Sequence, residues 1–254
     1  MKDIQSQQDH RRINIKKVGV KDIAYPITVL DKANRLQRTV ASFNMYVNLP
    51  HHFKGTHMSR FIEILNRFHG AVELGKINLV LQEMKERLVA EAAHVEIEFP
   101  FFLKKRVEHA NVVNIGEYGC RMHGSLGEED DLIMEVGVPI APPLPCQDDQ
   151  ALPRSLGHWG TARVALRFRH FIWIEDVIEA VEEVIARHRS AAVAPEPFRT
   201  GREPGGGLSV ESIAKGLGRK LSGHPDIRWL SITVENLAEG YSTFACLEWP
   251  PGAS

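Results

Sequence analysis

The sequence predicts an α+β fold built from two similar halves, on the strength of three observations. Stretches that alternate with period two flank pairs of stretches with helical spacing. The order strand, helix, helix, strand, strand occurs twice, and a proline-rich joint lies between the two occurrences. Helices grouped in pairs over mostly antiparallel strands belong to α+β rather than α/β architecture.

Residues 1–36 are polar with short apolar islands ("KKVGVKDIAYPITVLD") and are expected to form an extended N-terminal arm with little core of its own. From Thr39, "TVASFNMYVNL" alternates as a strand does. Met58, Phe61, Ile62, Leu65 and Phe68 then recur at helical spacing, ending near Gly70. Ile77, Val80, Leu81, Met84, Leu88 and Val89 predict a second helix. "HVEIEFPFF" alternates through Val95, Ile97, Phe99 and Phe101, and "ANVVNIGEYGCRM" and "DDLIMEVGVPI" complete an antiparallel set over residues 37–140.

The stretch "APPLPCQDDQALPRS" carries four prolines and marks a connecting loop, placed at 141–157. Over 158–254 the order returns. "TARVALRFRHFI" reads as a strand, and Ile174, Val177, Ile178, Val181, Val184 and Ile185 line one face of a helix. "APEPFRTGREPGGG" is a loop, "LSVESIAKGLGRKL" a second helix, and "DIRWLSITVEN" and "YSTFACLEW" are closing strands.

Composition narrows the functional classes. With 254 residues, 43% hydrophobic and 25% charged, the chain can bury a large core. Basic and acidic residues balance at 31 and 32, so no nucleic-acid partner is expected and any anion site must be local. No apolar run is long enough to span a membrane, and "MKDIQSQQDHRRINIKK" lacks a signal-peptide core. Cys120, Cys146 and Cys246 are far apart with no CxxC, which argues for a reducing, cytoplasmic setting.

Four places carry candidate chemistry. In "NLPHHFKGTHMSRF", Lys54, His57 and Arg60 precede or open a helix, where backbone N–H groups and the helix dipole favour a phosphate. The residues alone equally admit an ordinary basic loop, or a metal held partly by His51, His52 and His57. Cys146 lies twelve residues before His158, and Glu196 sits in the later Pro/Gly-rich loop. Thiolate, imidazole and carboxylate would suit Zn²⁺ or a similar divalent ion, although a lone Cys also serves as a small buried apolar residue. Glu211 follows Ser209, a candidate N-cap. Its carboxylate either serves the helix dipole or accepts paired N–H bonds from the edge of a purine or pterin. "PGGG" at 204–207 fits no phosphate-loop pattern.

Taken together, "INIKKVGVKDIAYPI", "NMYVNLPHHFKGTHMSRFIEIL", "FIWIEDVIE" and "IRWLSITVEN" resemble the type IB GTP cyclohydrolases, over residues 4 to 247. The resemblance implies the tunnelling fold (T-fold), with two tandem ββααββ modules. It also implies a homo-oligomer, a tetramer, with sites between subunits. The implied reaction is hydrolysis of GTP to 7,8-dihydroneopterin triphosphate and formate, the first step of folate and pterin biosynthesis. By the same resemblance Cys146, His158 and Glu196 hold a divalent metal (Zn, or Mn or Fe), once a two-residue insertion is placed in "APPLP". Glu211, fifteen residues after Glu196, anchors the base. Lys54, His57 and Arg60, with His51 and His52, form the substrate neighbourhood, and His57, Cys146 and His158 are the residues implied in the chemistry.

Several positions depart from the family pattern. The family has Cys-Pro-Cys where this chain has "LPCQD", so an alternative alignment sets Leu144 on the metal position. "HWGT" replaces His-Asn-Gln-Arg, and Ala238, Tyr241 and Thr243 stand where the family has a carboxylate and two histidines. These departures suggest a diverged member. They keep open a second reading, a paralogue that binds a purine or pterin nucleotide without turning it over.

Overall fold

A computed structural model describes residues 15–49, 57–68, 76–106, 113–128, 130–141, 159–193, 208–238 and 240–251. Among them are eight strands and four helices: β1 (Ile15–Asp31), β2 (Arg35–Leu49), α1 (Met58–Arg67), α2 (Ile77–Arg87), β3 (Ala92–Arg106), β4 (Val113–Leu126), β5 (Asp130–Ile140), β6 (Gly160–Phe168), α3 (Ile174–Val193), α4 (Val210–Leu221), β7 (Ile227–Ala238) and β8 (Tyr241–Trp249). The chain divides into two compact units, residues 1–134 and 135–254. The division falls inside β5, ahead of the proline-rich joint where the sequence places it.

In the first unit the strands run in the order β1-β2-β3-β4, each antiparallel to the next. Period-two alternation buries one face: Ala41, Phe43, Met45, Val47 and Leu49 on β2, and Ala93, Val95, Ile97, Phe99 and Phe101 on β3. Asp31 closes the β1–β2 turn, its Oδ1 accepting from the Ala33 and Asn34 amides at 2.8 and 2.7 Å. Helix α2 lies against β4, where a Cβ on Gly124 would come within 3.0 Å of Ile77.

Two sequence expectations change here. Residues 15–31 do not form an arm without a core. They are β1, paired along β2, with Tyr25, Ile27 and Val29 buried and the Tyr25 hydroxyl donating to the Leu65 carbonyl at 3.3 Å. Only the second half of β1 alternates in an apolar pattern, and register shifts interrupt the first half, so the signal was short. On α1 the buried face is Phe61, Ile64 and Leu65, while Met58 and Ile62 are exposed. Both rows satisfy helical spacing, and packing against the sheet selects between them.

In the second unit the order is β5-β6-β7-β8. Val136, Val138 and Ile140 on β5, Ala162, Val164 and Leu166 on β6, and Leu230, Ile232 and Val234 on β7 face the core. Helix α3 extends to Val193, beyond the predicted pattern, with Val177, Ile178 and Val181 buried. Helix α4 packs on β8 closely enough that a Cβ on Gly218 would lie 3.0 Å from Leu247.

Candidate functional site

Three of the nine residues singled out in the sequence lie in described segments: His57, Arg60 and Glu211. His51, His52, Lys54, Cys146, His158 and Glu196 lie outside the described residues. Among the described residues no three His, Cys, Asp or Glu side chains converge as a metal site.

His57 is the N-cap of α1, with extended backbone at φ −77 and ψ 117. Its side chain makes no capping bond, and no acidic residue occupies the first turn. The helix therefore starts with its positive dipole end uncompensated by a carboxylate of its own. One turn in, the Arg60 amide donates to the His57 carbonyl at 3.0 Å, and the Arg60 guanidinium reaches the Arg87 carbonyl of the α2 terminus at 3.4 Å. Arg60 thus ties α1 to α2 as well as adding charge at the helix start.

Glu211 opens α4 in the opposite electrostatic sense. Ser209, the N-cap, is extended at φ −121 and ψ 132 and accepts from the Ser212 amide at 3.3 Å. Its hydroxyl donates to Glu211 Oε2 at 2.5 Å. That bond first, then the residue's own backbone N–H and the Lys215 ammonium one turn on, hold the carboxyl below the usual carboxylate range. Glu211 is exposed and ionised, with the rest of its acceptor capacity turned to the surface. A carboxylate so placed can accept two parallel N–H bonds from a heterocycle edge.

Described residues on either side of the stretch that carries Cys146 and His158 meet in the second unit. The Trp159 amide donates to the Ile140 carbonyl at 2.7 Å, and the Leu237 amide to the Trp159 carbonyl at 3.0 Å. Next to it, Gly160 meets β7 so closely that a Cβ would sit 2.0 Å from the Glu235 carbonyl oxygen. His158 is therefore joined to a residue fixed on both sides by backbone bonds.

Sequence reasoning missed a polar cluster on the open sheet face of the first unit. Tyr46 stacks on His94 at 4.8 Å between ring centroids, His123 lies parallel to His94 at 6.3 Å, and Lys17 Nζ stands 3.4 Å over the Tyr46 ring. Glu96 accepts from Asn44 at 3.0 Å and from the Tyr46 hydroxyl at 3.1 Å. Burial, then the Glu96 hydrogen bond, pushes the Tyr46 phenol up to about 12. Burial, then His123 and Lys17, pushes the His94 imidazole down, and the Asn44 bond heads the causes that lower Glu96. Register alone makes this cluster, by setting Tyr46 opposite His94 and Glu96 between Asn44 and His123.

Comparison with known proteins places these features in one context. Residues 1–238 match the model of the family described as type I GTP cyclohydrolase FolE2. GTP cyclohydrolase FolE2 of Syntrophobacter fumaroxidans is 42% identical over 254 residues, covering 98% of this chain and 99% of that protein. The protein of the same name from Geobacter metallireducens is 42% identical over 252 residues, covering 98% and 97%. Identity at that level over both full lengths is a close match, which corrects the expectation of a diverged member. Of the departures, Tyr241 and Thr243 lie beyond the matched segment.

Among solved structures, uricase from Arthrobacter globiformis superposes with a TM-score of 0.55 at 9% identity, covering 95% of each chain. Urate oxidase from Bacillus sp. TB-90 gives 0.58 at 8% identity, covering 92% of this chain and 99% of that one. At such identity the likeness concerns the fold alone. It is the tunnelling fold, with the element order ββααββ twice along the chain, as the resemblance implied.

Proposed function

This chain belongs to the type I GTP cyclohydrolase FolE2 family, and from that premise we propose that it hydrolyses GTP to 7,8-dihydroneopterin triphosphate and formate, the entry to folate and pterin biosynthesis. The observation that carries the reading is the 42% identity over nearly the whole of both chains. The exposed, ionised Glu211 on a capped helix start supports it independently.

In this reading Glu211 accepts from the N1–H and 2-amino group of guanine, which orients the imidazole half of the base for attack at C8. Lys54 and Arg60 offset the triphosphate charge beside the α1 start, with His51 and His52 alongside. His57 supplies proton transfer to the purine, an effect of about 10²–10⁴-fold for a placed general acid or base. Cys146, His158 and Glu196 offer a thiolate, an imidazole and a carboxylate, a donor set that fits Zn²⁺ and tolerates Mn²⁺ or Fe²⁺. Such an ion, when bound, supplies Lewis-acid activation of water at neutral pH.

A homo-oligomer in the cytoplasm, a tetramer, completes the proposal. Leu237, Tyr241 and Phe244 are each at least 60% exposed along β7 and β8, apolar surface that a second copy would cover. No helix among the described residues is long and apolar enough to cross a membrane. Size-exclusion chromatography with light scattering measures the subunit number.

The direct test is pterin fluorescence formed from GTP with Zn²⁺, Mn²⁺ or Fe²⁺ supplied, together with the metal content of the purified protein. Product with at least one ion is expected, and no product with all three would remove the catalytic reading. Glu211→Ala should weaken GTP binding by about 100-fold or more, since two hydrogen bonds to a charged acceptor go at once. Its melting temperature should hardly move, because the side chain is exposed. Unchanged GTP affinity would end the base-anchor role.

A further inference from the structure

An N-cap needs one bond, from a helix amide to the cap oxygen. Ser209 makes that bond with Ser212 and then spends its own proton on Glu211, at 2.5 Å. The order is amide to hydroxyl to carboxylate, in which each donor strengthens the next. Glu211 is thereby drawn back over the helix start, its Oε2 held by the Ser209 hydroxyl, with a further bond to the carboxyl from its own backbone N–H. A glutamate on an exposed helix turn otherwise samples several rotamers, and freezing them on binding costs free energy. Here the freezing is already done by the neighbour two residues earlier.

From this geometry we infer that Ser209 is a positioning residue for guanine recognition: its hydroxyl fixes Glu211 Oε2 so that the remaining lone pairs meet the N1–H and 2-amino groups in a single orientation. The inference rests on Glu211 as the base anchor. It does not follow from capping, which serves α4 whether or not the carboxylate is held.

Three variants of the full-length protein separate the two roles. Ser209→Ala removes both. Ser209→Thr keeps both. Ser209→Asp keeps the cap acceptor, since Asp caps as well as Ser, but puts a carboxylate where a donor is needed. GTP affinity by calorimetry across acid to neutral pH, thermal melting, and KM and kcat for pterin formation are the readouts.

Ser209→Ala and Ser209→Asp should each weaken GTP binding about tenfold, the loss of one charge-assisted bond, and raise KM with kcat within about twofold. In both, the acid limb of GTP affinity should move to higher pH, because Glu211 regains a proton more easily without its donor. Ser209→Thr should behave as the parent. Ser209→Asp should melt like the parent, so its affinity loss is not a folding loss. Should Ser209→Ala fail to fold, the Asp and Thr variants carry the test unaided. Parental affinity and an unmoved acid limb in Ser209→Asp would overturn the inference. If Glu211→Ala then still lost GTP, the base anchor would survive without it. If Glu211→Ala bound GTP normally, the base-anchor reading itself would fall.

Discussion

Two helix starts in this molecule solve the same electrostatic problem in opposite ways. Helix α4 begins with a serine cap that accepts from the Ser212 amide and a glutamate in its first turn, so the positive end of its dipole meets a carboxylate of the chain itself. Helix α1 begins at His57 with no side-chain cap and no acidic residue in the first turn, and the sequence ahead of it is basic. In the proposed reaction the substrate has two ends of opposite need. A guanine edge presents N–H donors and wants a carboxylate, whereas a triphosphate wants amides and cations. In the proposed reaction Glu211 at the α4 start serves the first need, and the basic sequence ahead of α1 serves the second. A helix start without a side-chain cap or a first-turn carboxylate suits an anion rather than an N–H donor edge.

The largest test of this contrast removes a glycine rather than a charge. Gly160→Ala would force a Cβ toward the Glu235 carbonyl at 2.0 Å, in backbone that cannot swing aside. We expect a loss of about 1–3 kcal/mol in denaturant unfolding, together with weaker metal retention, because His158 is two residues away. Wild-type metal content in that variant would detach the His158 assignment from the β6–β7 contact.

A second test concerns the other end of the α1–α2 pair. Helix α2 finishes in a Schellman turn, the Ala90 amide donating to Lys85 and the Val89 amide to Glu86. Val89 takes the left-handed position at φ 50, where a β-branched residue is strained, and it is 56% exposed. Val89→Gly should therefore stabilise the protein by about 1 kcal/mol, read from the urea midpoint. A destabilised variant would mean that contacts of the valine outweigh its backbone strain.

Smaller still is the effect of supplying α1 with the cap it lacks. His57→Ser should add about 0.5–1 kcal/mol of stability, since the residue already has the extended conformation of a cap. GTP turnover should fall in the same variant. A rise in stability with unchanged turnover would remove both the proton-transfer role proposed for His57 and the use of this helix start by substrate.

The least effect is confined to the alkaline end of the pH range and belongs to the first unit only. The Tyr46 phenol is raised from its ordinary value of 10.0 to about 12. Below 10 the folded chain and the unfolded chain both hold that proton. Between about 10 and 12 the unfolded chain loses it first, so stability falls as pH rises through this window. Melting temperatures from pH 9 upward should decline less in Tyr46→Phe than in the parent. Identical slopes would mean that the Glu96 hydrogen bond does not hold the phenol proton.

What the sequence made legible follows from how local each feature is. Alternation on β2, β3 and β7 and the Ser209 cap need only near neighbours, and all were readable. Strand β1 was not, because its buried alternation covers only Tyr25, Ile27 and Val29, and register shifts before Ile23 break the pattern over the rest. On α1 the spacing admits both the Met58–Ile62 row and the Phe61–Leu65 row, and only docking on the sheet buries the second. The Tyr46–His94–Glu96 cluster and the reach of Arg60 to the α2 terminus depend on strand register and helix docking, which no single segment records. The resemblance supplied candidate site residues that spacing alone could not. Six of them, the metal set included, lie outside the described residues.

The hydrogen bond between the Ile140 carbonyl and the Trp159 amide has an evolutionary consequence. A segment that departs and returns through one closed backbone pair can change length without shifting the register of the strands on either side. Lengthening such a closure is thermodynamically mild, about 0.6 kcal/mol for each doubling. A change in the number of residues between Ile140 and Trp159 is therefore expected to leave β5 and β6 as they are.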